Sequence, residues 1–432
     1  MSNVEAHTVA YVRDTMIAQQ SPPLAESGAI RWLRSNLFSG WLNSVLTVVS
    51  LLAIFLAVKA IAPWLLNAVW NAGSLAECRA ILDGATGACF AVIRDRWHQL
   101  LFGFYPPQFY WRPVLALVLL FVAIAPVLFT GLPRKMLIFS ALYPFIGYHL
   151  IWGGSAWFPV SVLLGFVAGV AAYVILRNLN GLVAIFGAIM APFAWWFLAA
   201  GPFDAAMSAA IPLGLDFVRS DRIGGFLIAL IVGVTAIALS LPVGIILALG
   251  RQSDMLFLKT ICVVFIEFIR GVPLITLLFS ASLLLNYFLP PGTTFDLILR
   301  VIIMVTLFAS AYMAEVIRGG LAALPKGQYE AADALGLDYW KAQRLIIMPQ
   351  ALKISIPGIV NTFIGLFKDT TLLVFIAILE PLALANAIRA DTNWNGIYWE
   401  LFIFIGALFF IFCFGMSRYS MYLEQKLKTD HR

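Results

Sequence analysis

Three groups of ionisable residues lie inside or beside long apolar runs, where a charge is costly and is usually paired or put to use. Lys368 and Asp369, followed by Thr370 and Thr371, make a polar belt about twelve residues into the apolar stretch that begins near 356. At 1.5 Å per residue the belt falls ~18 Å into a helix, near the middle of a bilayer. Glu315 precedes Arg318, and Glu267 precedes Arg270, each by the three residues that put two side chains on one helical face. Two chemistries fit these groups. In one, they line a path for a zwitterion: a carboxylate faces an ammonium, and a lysine or backbone N–H groups face a carboxylate. In the other, Lys368 pairs with Asp369 or Glu315 and fixes helix packing or a gate. Glu267, Arg270, Gly271 and Pro273 together form a candidate hinge, because Gly and Pro break a helix where it would enter the membrane.

Other chemistry has no support in the residues. No G-x-x-x-x-G-K-[ST] stretch exists to cradle nucleotide phosphates. His7, His98, His149 and His431 are scattered, with no H-E-x-x-H and no Cys/His cluster, so no metal site is expected. Nothing pairs a nucleophile with a base. The chain is read as a non-enzyme that binds no cofactor of its own.

The elements that must position the charged groups are membrane helices. The 432 residues are 62% apolar and only 12% charged, about half the charge of a soluble chain. Ten apolar stretches of about 20 residues lie near 43–63, 114–131, 136–152, 158–176, 182–200, 224–249, 264–289, 297–317, 356–378 and 401–420. The fold class is an all-α polytopic membrane protein. The turn between the fourth and fifth stretches is short enough for a re-entrant hairpin. Residues 1–40 are polar and carry no cleavable signal pattern. Arg13, Arg31, Arg34, Arg134, Lys135, Arg177, Arg251, Lys259, Arg418, Lys426 and Lys428 all fall on one side if both termini are cytoplasmic. The net charge of +6 therefore belongs to cytoplasmic loops and is no nucleic-acid signal. Lys59, Arg79, Arg94, Arg96, Arg112, Arg219 and Arg222 run against the trend. Cys78 and Cys89 share the external segment 64–113, where a disulfide or two buried thiols in a small helical cap both fit. Cys262 and Cys413 sit in apolar stretches as packing residues.

Residues 326–349, KGQYEAADALGLDYWKAQRLIIMP, form a polar island. Pro325 suits the first turn of a helix, and residues 326–335 favour continuing it. Gly336 stands where a C-cap residue with positive φ belongs. Asp338 can cap a second helix through Trp340 and Leu345, which Pro349 is expected to stop. The result is a compact knob whose first helix offers a small apolar face of Ala331, Ala332 and Leu335 to a groove on another protein.

The order Glu330-Ala331-Ala332, three residues, Gly336, nine residues, Ile346, one residue, Met348-Pro349 resembles the EAA loop of permease subunits in binding-protein-dependent ABC importers. Met348 stands where that family usually has Leu, a swap of similar volume. EFIRGVPLITLLF (267–279), AYMAEVIRGGLAALPKGQYEAA (311–332) and NTFIGLFKDTTLL (361–373) resemble the polar amino-acid subfamily, with Val272 in place of Thr and Leu277 in place of Gln. The resemblance implies a type I permease core over 224–432, with its cytoplasmic coupling loop at 318–355. It also implies a second homologous permease subunit, two ATPase subunits that hydrolyse ATP, a periplasmic amino-acid-binding protein, an L-amino-acid substrate and a bacterial inner membrane. Residues 41–223 resemble, in length and layout, the extension of the M subunit of general L-amino-acid permeases. Two rivals stand beside this reading. One is a single-chain secondary transporter coupled to H⁺ or Na⁺ through Lys368, Asp369 and Glu315. The other is a regulatory or assembly membrane protein whose first half binds partners.

Overall fold

The computed structural model describes residues 28–129, 131–284 and 295–427. Residues 1–27 of the expected N-terminal segment lie outside the described residues, as do the end of the seventh apolar stretch (285–289), His7, Arg13, Lys428 and His431. Two compact units divide the chain: residues 1–69 with 80–88, and residues 70–79 with 89–432.

The first unit contains a short helix α1 (Gly28–Asn36) and a long apolar helix α2 (Trp41–Leu66). Beyond α2, the Val69 N–H donates to the Ala88 carbonyl at 2.8 Å and the Asn67 amide donates to the Thr86 carbonyl at 3.1 Å, closing that loop on itself.

The second unit is built of helices, with a single two-residue ladder among its described residues. Helix α3 (Leu75–Leu82) begins in it, and α4 (Ala91–Phe102) precedes two packed pairs. The first pair is α5 (Trp111–Leu128) with α6 (Met136–Trp152). The second is α7 (Trp157–Leu176) with α8 (Gly181–Ala194), which continues through a wide turn into α9 (Ala200–Ala210). Gly154 and Ser155 pair antiparallel with Leu215 and Gly214. Then come α10 (Gly225–Gln252), α11 (Leu256–Gly271), α12 (Leu274–Phe279), α13 (Leu297–Ala322), α14 (Lys326–Ala334), α15 (Tyr339–Ala342), α16 (Met348–Asp369), α17 (Pro381–Arg389) and α18 (Trp399–Leu427).

Among the described residues, eight helices are long and apolar enough to cross a membrane, nine if one bent pair is counted, and α6 is a shorter apolar helix of the same kind. They overlie the ten apolar stretches. Two details bear on the sequence reading. The fourth and fifth stretches are not a re-entrant hairpin, since α7 has 20 residues and α8–α9 together have 30, each enough for a full span. The broken element is the seventh stretch, where Leu256–Gly271 and Leu274–Leu284 meet at 104°. Proline forces its predecessor out of the helical region, and Val272 is accordingly extended at φ −107°, ψ 132°.

A further difference concerns Pro349, which does not stop its helix. Residues 339–376 run on as one 38-residue apolar helix. Gln343–Ile347 form a wide turn, and Pro349 sits in the first turn of α16, where a missing N–H costs least. Lys368 therefore lies twenty residues after Met348, ~30 Å along the helix.

The centre of the unit is α10 against α13, and α13 against α16. Small residues permit the approach, as expected between membrane helices. A side chain at Gly320 would come within 2.5 Å of the Ala351 carbonyl oxygen. Two apolar layers result. Ile266, Ile317, Leu321, Ile347 and Ala351 pack beside the 318–355 loop. Tyr105, Ile151, Ile223, Leu366, Leu373 and Ile376 pack at the opposite end.

At that opposite end, residues 70–79 and 89–110 close onto the segment between α16 and α18 and onto the first turn of α18. The Cys89 N–H donates to Glu400 Oε1 at 2.8 Å, and the Leu75 N–H donates to the Asn393 carbonyl at 2.8 Å. Arg96 pairs with Asp391 at 3.1 Å. The fully buried Trp394 donates its indole N–H to Asp95 at 2.9 Å. A disulfide joins Cys78 to Cys89, both buried.

Glu380 opens α17 in the same region. Its carboxylate is wholly buried and accepts the N–H groups of Leu382 at 2.9 Å and Ala383 at 2.8 Å. Burial outweighs these two donors and pushes its pKa from 4.5 up to about 7. Folding thus favours the protonated acid. The resulting stability is full below pH 4.5 and is lost as pH rises through about 7. The shift corresponds to about 3 kcal/mol. The thermal midpoint of the detergent-solubilised protein is expected to fall between pH 5 and pH 8, and Glu380→Gln is expected to flatten that slope. An unchanged slope in the variant would show that other groups set it.

Candidate functional site

The knob at 326–349 is built as capping rules require. Helix α14 ends at Gly336, whose φ of +66° is one that L side chains rarely adopt. The Leu337 N–H reaches back to the Ala332 carbonyl at 3.2 Å, and the Gly336 N–H reaches the Asp333 carbonyl at 2.9 Å. This pairing satisfies the carbonyls left bare at a helix C-terminus. Asp338 then accepts the Lys341 N–H at 3.0 Å and pairs with its ammonium at 2.9 Å, which holds the Asp338 carboxyl below its ordinary range. Gln350 donates to Gln328 at 2.9 Å and ties the start of α14 to α16.

The faces of α14 sort differently from the expected apolar patch. Ala332 is 1% exposed and points into the unit, while Glu330, Ala331 and Leu335 face out. The apolar surface of the loop comes instead from Leu335, Trp340 and Leu345, which are 72%, 70% and 63% exposed. Ile346 is half-buried against the adjacent apolar layer, and Pro349 is exposed. Large apolar side chains this exposed are available to a protein or membrane contact.

Directly above the loop, the charged residues meet. Glu315 on α13 is the centre, with its side chain 15% exposed. Arg318 straddles it: Nε lies 3.2 and 3.1 Å from the two carboxylate oxygens, and Nη2 lies 3.0 Å from Oε2. Arg251, in the last turn of α10, places Nη1 2.8 Å from Glu315 Oε1 and 2.8 Å from Glu267 Oε1. Arg270 approaches Glu315 at 3.6 Å and Glu267 at 3.9 Å. Three guanidinium groups and two carboxylates leave one net positive charge where α10, α11 and α13 converge. Such a cluster can hold three helix ends together and release them as a unit.

The two pairs expected separately from spacing, Glu267 with Arg270 and Glu315 with Arg318, are thus one network. Arg251, whose sequence position reads only as a loop charge, bridges them. No local pattern points to it, because its partners lie 16 and 64 residues away. Gly271 and Pro273 flank the 104° bend.

Lys368, Asp369 and Thr370 do not join the cluster. Lys368 is exposed, Asp369 is half-buried, and neither takes part in an ion pair among the described residues. The expected Lys368–Glu315 pair is absent because the helix carrying Lys368 starts well before residue 356, which sets the two groups in opposite layers. Thr370 is 1% exposed and returns its hydroxyl to the Phe367 carbonyl at 2.7 Å.

Residues 240–429 match the family described as the binding-protein-dependent transport system inner membrane component. The chain is 60% identical over 430 residues to the glutamate/glutamine/aspartate/asparagine transport system permease protein BztC of Rhodobacter capsulatus, covering 98% of this chain and 99% of that one. It is 39% identical over 404 residues to the inner membrane amino-acid ABC transporter permease protein YhdY of Escherichia coli strain K12, covering 93% and 94%. Among solved structures, that of an amino acid ABC transporter with histidines aligns with 46% of this chain and 90% of its own, at 29% identity and a TM-score of 0.41.

The cluster generates a measurable asymmetry. Arg251→Met strips Glu267 of its 2.8 Å partner and loosens Glu315. Hydrogen bonds to charged groups are worth roughly 1.5–3 kcal/mol each, discounted here because Glu267 is half exposed. A loss of about 1–2 kcal/mol is expected, read as a lowered melting midpoint. Arg251→Lys should restore only part of it, since an ammonium lacks the guanidinium fork. A midpoint unchanged in Arg251→Met would remove Arg251 from the network's centre.

Proposed function

Because the chain belongs to the binding-protein-dependent transport system inner membrane components, we propose that it is a permease subunit of an ATP-driven importer of L-amino acids. The substrates named for its relatives point to the acidic amino acids and their amides as the first panel to test. The observation that carries the coupling role is the knob at 326–349, with its Gly336 turn and outward Leu335, Trp340 and Leu345. It is the docking surface for a separate ATPase, which hydrolyses ATP in place of this chain.

In this reading a second, homologous permease completes the pathway, two ATPase subunits press on the two knobs, and a periplasmic binding protein delivers the amino acid. The chain sits in a bacterial inner membrane with both termini and the 318–355 loop in the cytoplasm. Residues 41–223 are an N-terminal extension with a periplasmic insert at 64–113, and 224–432 are the permease domain. The ATPase moves the knob; α16, continuous with it, carries the displacement; and the Glu315 cluster opens or closes the cytoplasmic mouth. Bend residues Gly271 and Pro273 let α11 and α12 reorient. Lys368 and Asp369, free of the cluster, stand as path residues for the ends of a zwitterion. A single-chain carrier driven by H⁺ or Na⁺ needs no such knob, and three arginines already engage Glu315, the carboxylate it would rely on.

Gly336→Asp is expected to abolish substrate-stimulated ATP hydrolysis while leaving membrane abundance near normal. Its Cβ would meet nothing within 4 Å, so the harm comes from the positive φ and from a carboxylate at the docking face. Wild-type hydrolysis and uptake in this variant would falsify the docking role.

For the path, Lys368→Met is expected to reduce uptake of labelled glutamate and aspartate by at least tenfold with normal abundance. Uptake equal to wild type would remove Lys368 from the path.

A further inference from the structure

Helix α1 is nine residues long, GAIRWLRSN, and all nine are exposed. Its apolar residues are not scattered. At 3.6 residues per turn Ala29, Ile30 and Leu33 fall in one stripe, continued by Leu37. Trp32 borders the stripe on one side, and Arg31 and Arg34 occupy the other. Ile30, Trp32 and Leu33 are 56%, 59% and 43% exposed, a large apolar surface for so short a helix.

The connection to α2 places this surface. Only residues 37–40 separate α1 from a 26-residue helix long and apolar enough to cross the bilayer. The junction is pinned: the N–H groups of Leu37 and Phe38 reach the Leu33 carbonyl at 2.8 and 3.1 Å, and the Thr47 hydroxyl donates to the Leu37 carbonyl at 2.7 Å. Thr47 is six residues into α2, ~9 Å along its axis. The chain therefore folds back beside the first turns of α2 instead of continuing away from them. Trp41, 80% exposed at the start of α2, is the residue type that sits at the headgroup level.

We infer that α1 lies in the headgroup layer and docks on anionic phospholipid. Ile30, Leu33 and Leu37 enter the acyl boundary, Trp32 sits at its edge, and Arg31 and Arg34 meet lipid phosphates. A short amphipathic helix of this kind binds through buried apolar area together with attraction to anionic lipid. Each arginine near such a surface strengthens partition about fivefold. That the leaflet is the cytoplasmic one rests on the proposed orientation; the lipid docking does not.

The test uses the full chain carrying Cys262→Ser and Cys413→Ser, with a spin label at Leu33→Cys or Arg31→Cys. The protein is reconstituted into phosphatidylcholine vesicles with and without one-third phosphatidylglycerol. The label at 33 is expected to be open to oxygen and shielded from a water-soluble nickel chelate, and the label at 31 to show the reverse. Combined Arg31→Gln and Arg34→Gln should raise nickel access at 33 severalfold in the anionic vesicles. A label at 33 open to nickel throughout, or closed to both oxygen and nickel because protein covers it, overturns the docking. Equal behaviour of the arginine variant and its parent in anionic vesicles overturns the choice of lipid. Reaction of position 31 with an impermeant thiol reagent outside intact cells would overturn the orientation alone.

Discussion

Inside a bilayer no water is available to satisfy a bare N–H or carbonyl, so each backbone group must find its partner within the chain. That constraint makes α-helix the default for every apolar stretch, and it makes each interruption informative. Among the described residues between α10 and α18, three interruptions bear on the site. The first is the Val272–Pro273 bend, the second is the wide turn at Gln343–Ile347, and the third is the tight turn Thr370–Ile376 that ends at left-handed Ala377. At the third, the side chains supply the missing bonds. Thr370 and Thr371 return their hydroxyls to the carbonyls of Phe367 and Lys368, at 2.7 and 2.9 Å.

Because the helices hold their own hydrogen bonds, what remains to set their arrangement is close packing and charge. The two act at different depths. Small residues such as Gly320 let α13 and α16 approach until backbone meets backbone. Charge is confined to the ends. Beside the loop, Glu315 collects three arginines from three helices. At the opposite end, Arg96, Asp391, Asp95, Trp394 and Glu400 join residues 89–96 to the segment before α18 and to its first turn. The apolar middle between these ends has few specific directional contacts, so it can slide or tilt at less cost than either polar end can be broken.

The helix running from Tyr339 to Ile376 connects the two ends mechanically. It begins in the knob and finishes beside the polar contacts at the opposite end. The rod runs from Trp340 and Leu345 to the far layer without a break at Pro349. This continuity suits a subunit of the binding-protein-dependent transport family, whose work requires two distant faces to respond together.

Much of this architecture is legible in the residues alone. Apolar length determined the spans, since a bilayer leaves the backbone no other solution. Gly336 and Asp338 determined the knob's turn, because positive φ and N-capping are local properties. The ordered spacing from Glu330 to Pro349 determined the family. Contacts between distant residues were not legible. Arg251 bridges two carboxylates only because α10 ends where α11 and α13 converge. Ala332 turns inward because α14 packs that face against the wide turn at Gln343–Ile347. Lys368 misses Glu315 because a wide turn carries the helix through Pro349 and leaves the two groups in opposite layers. In each case the deciding quantity was the distance between helices, which no single helix's sequence encodes and which packing across the whole unit sets.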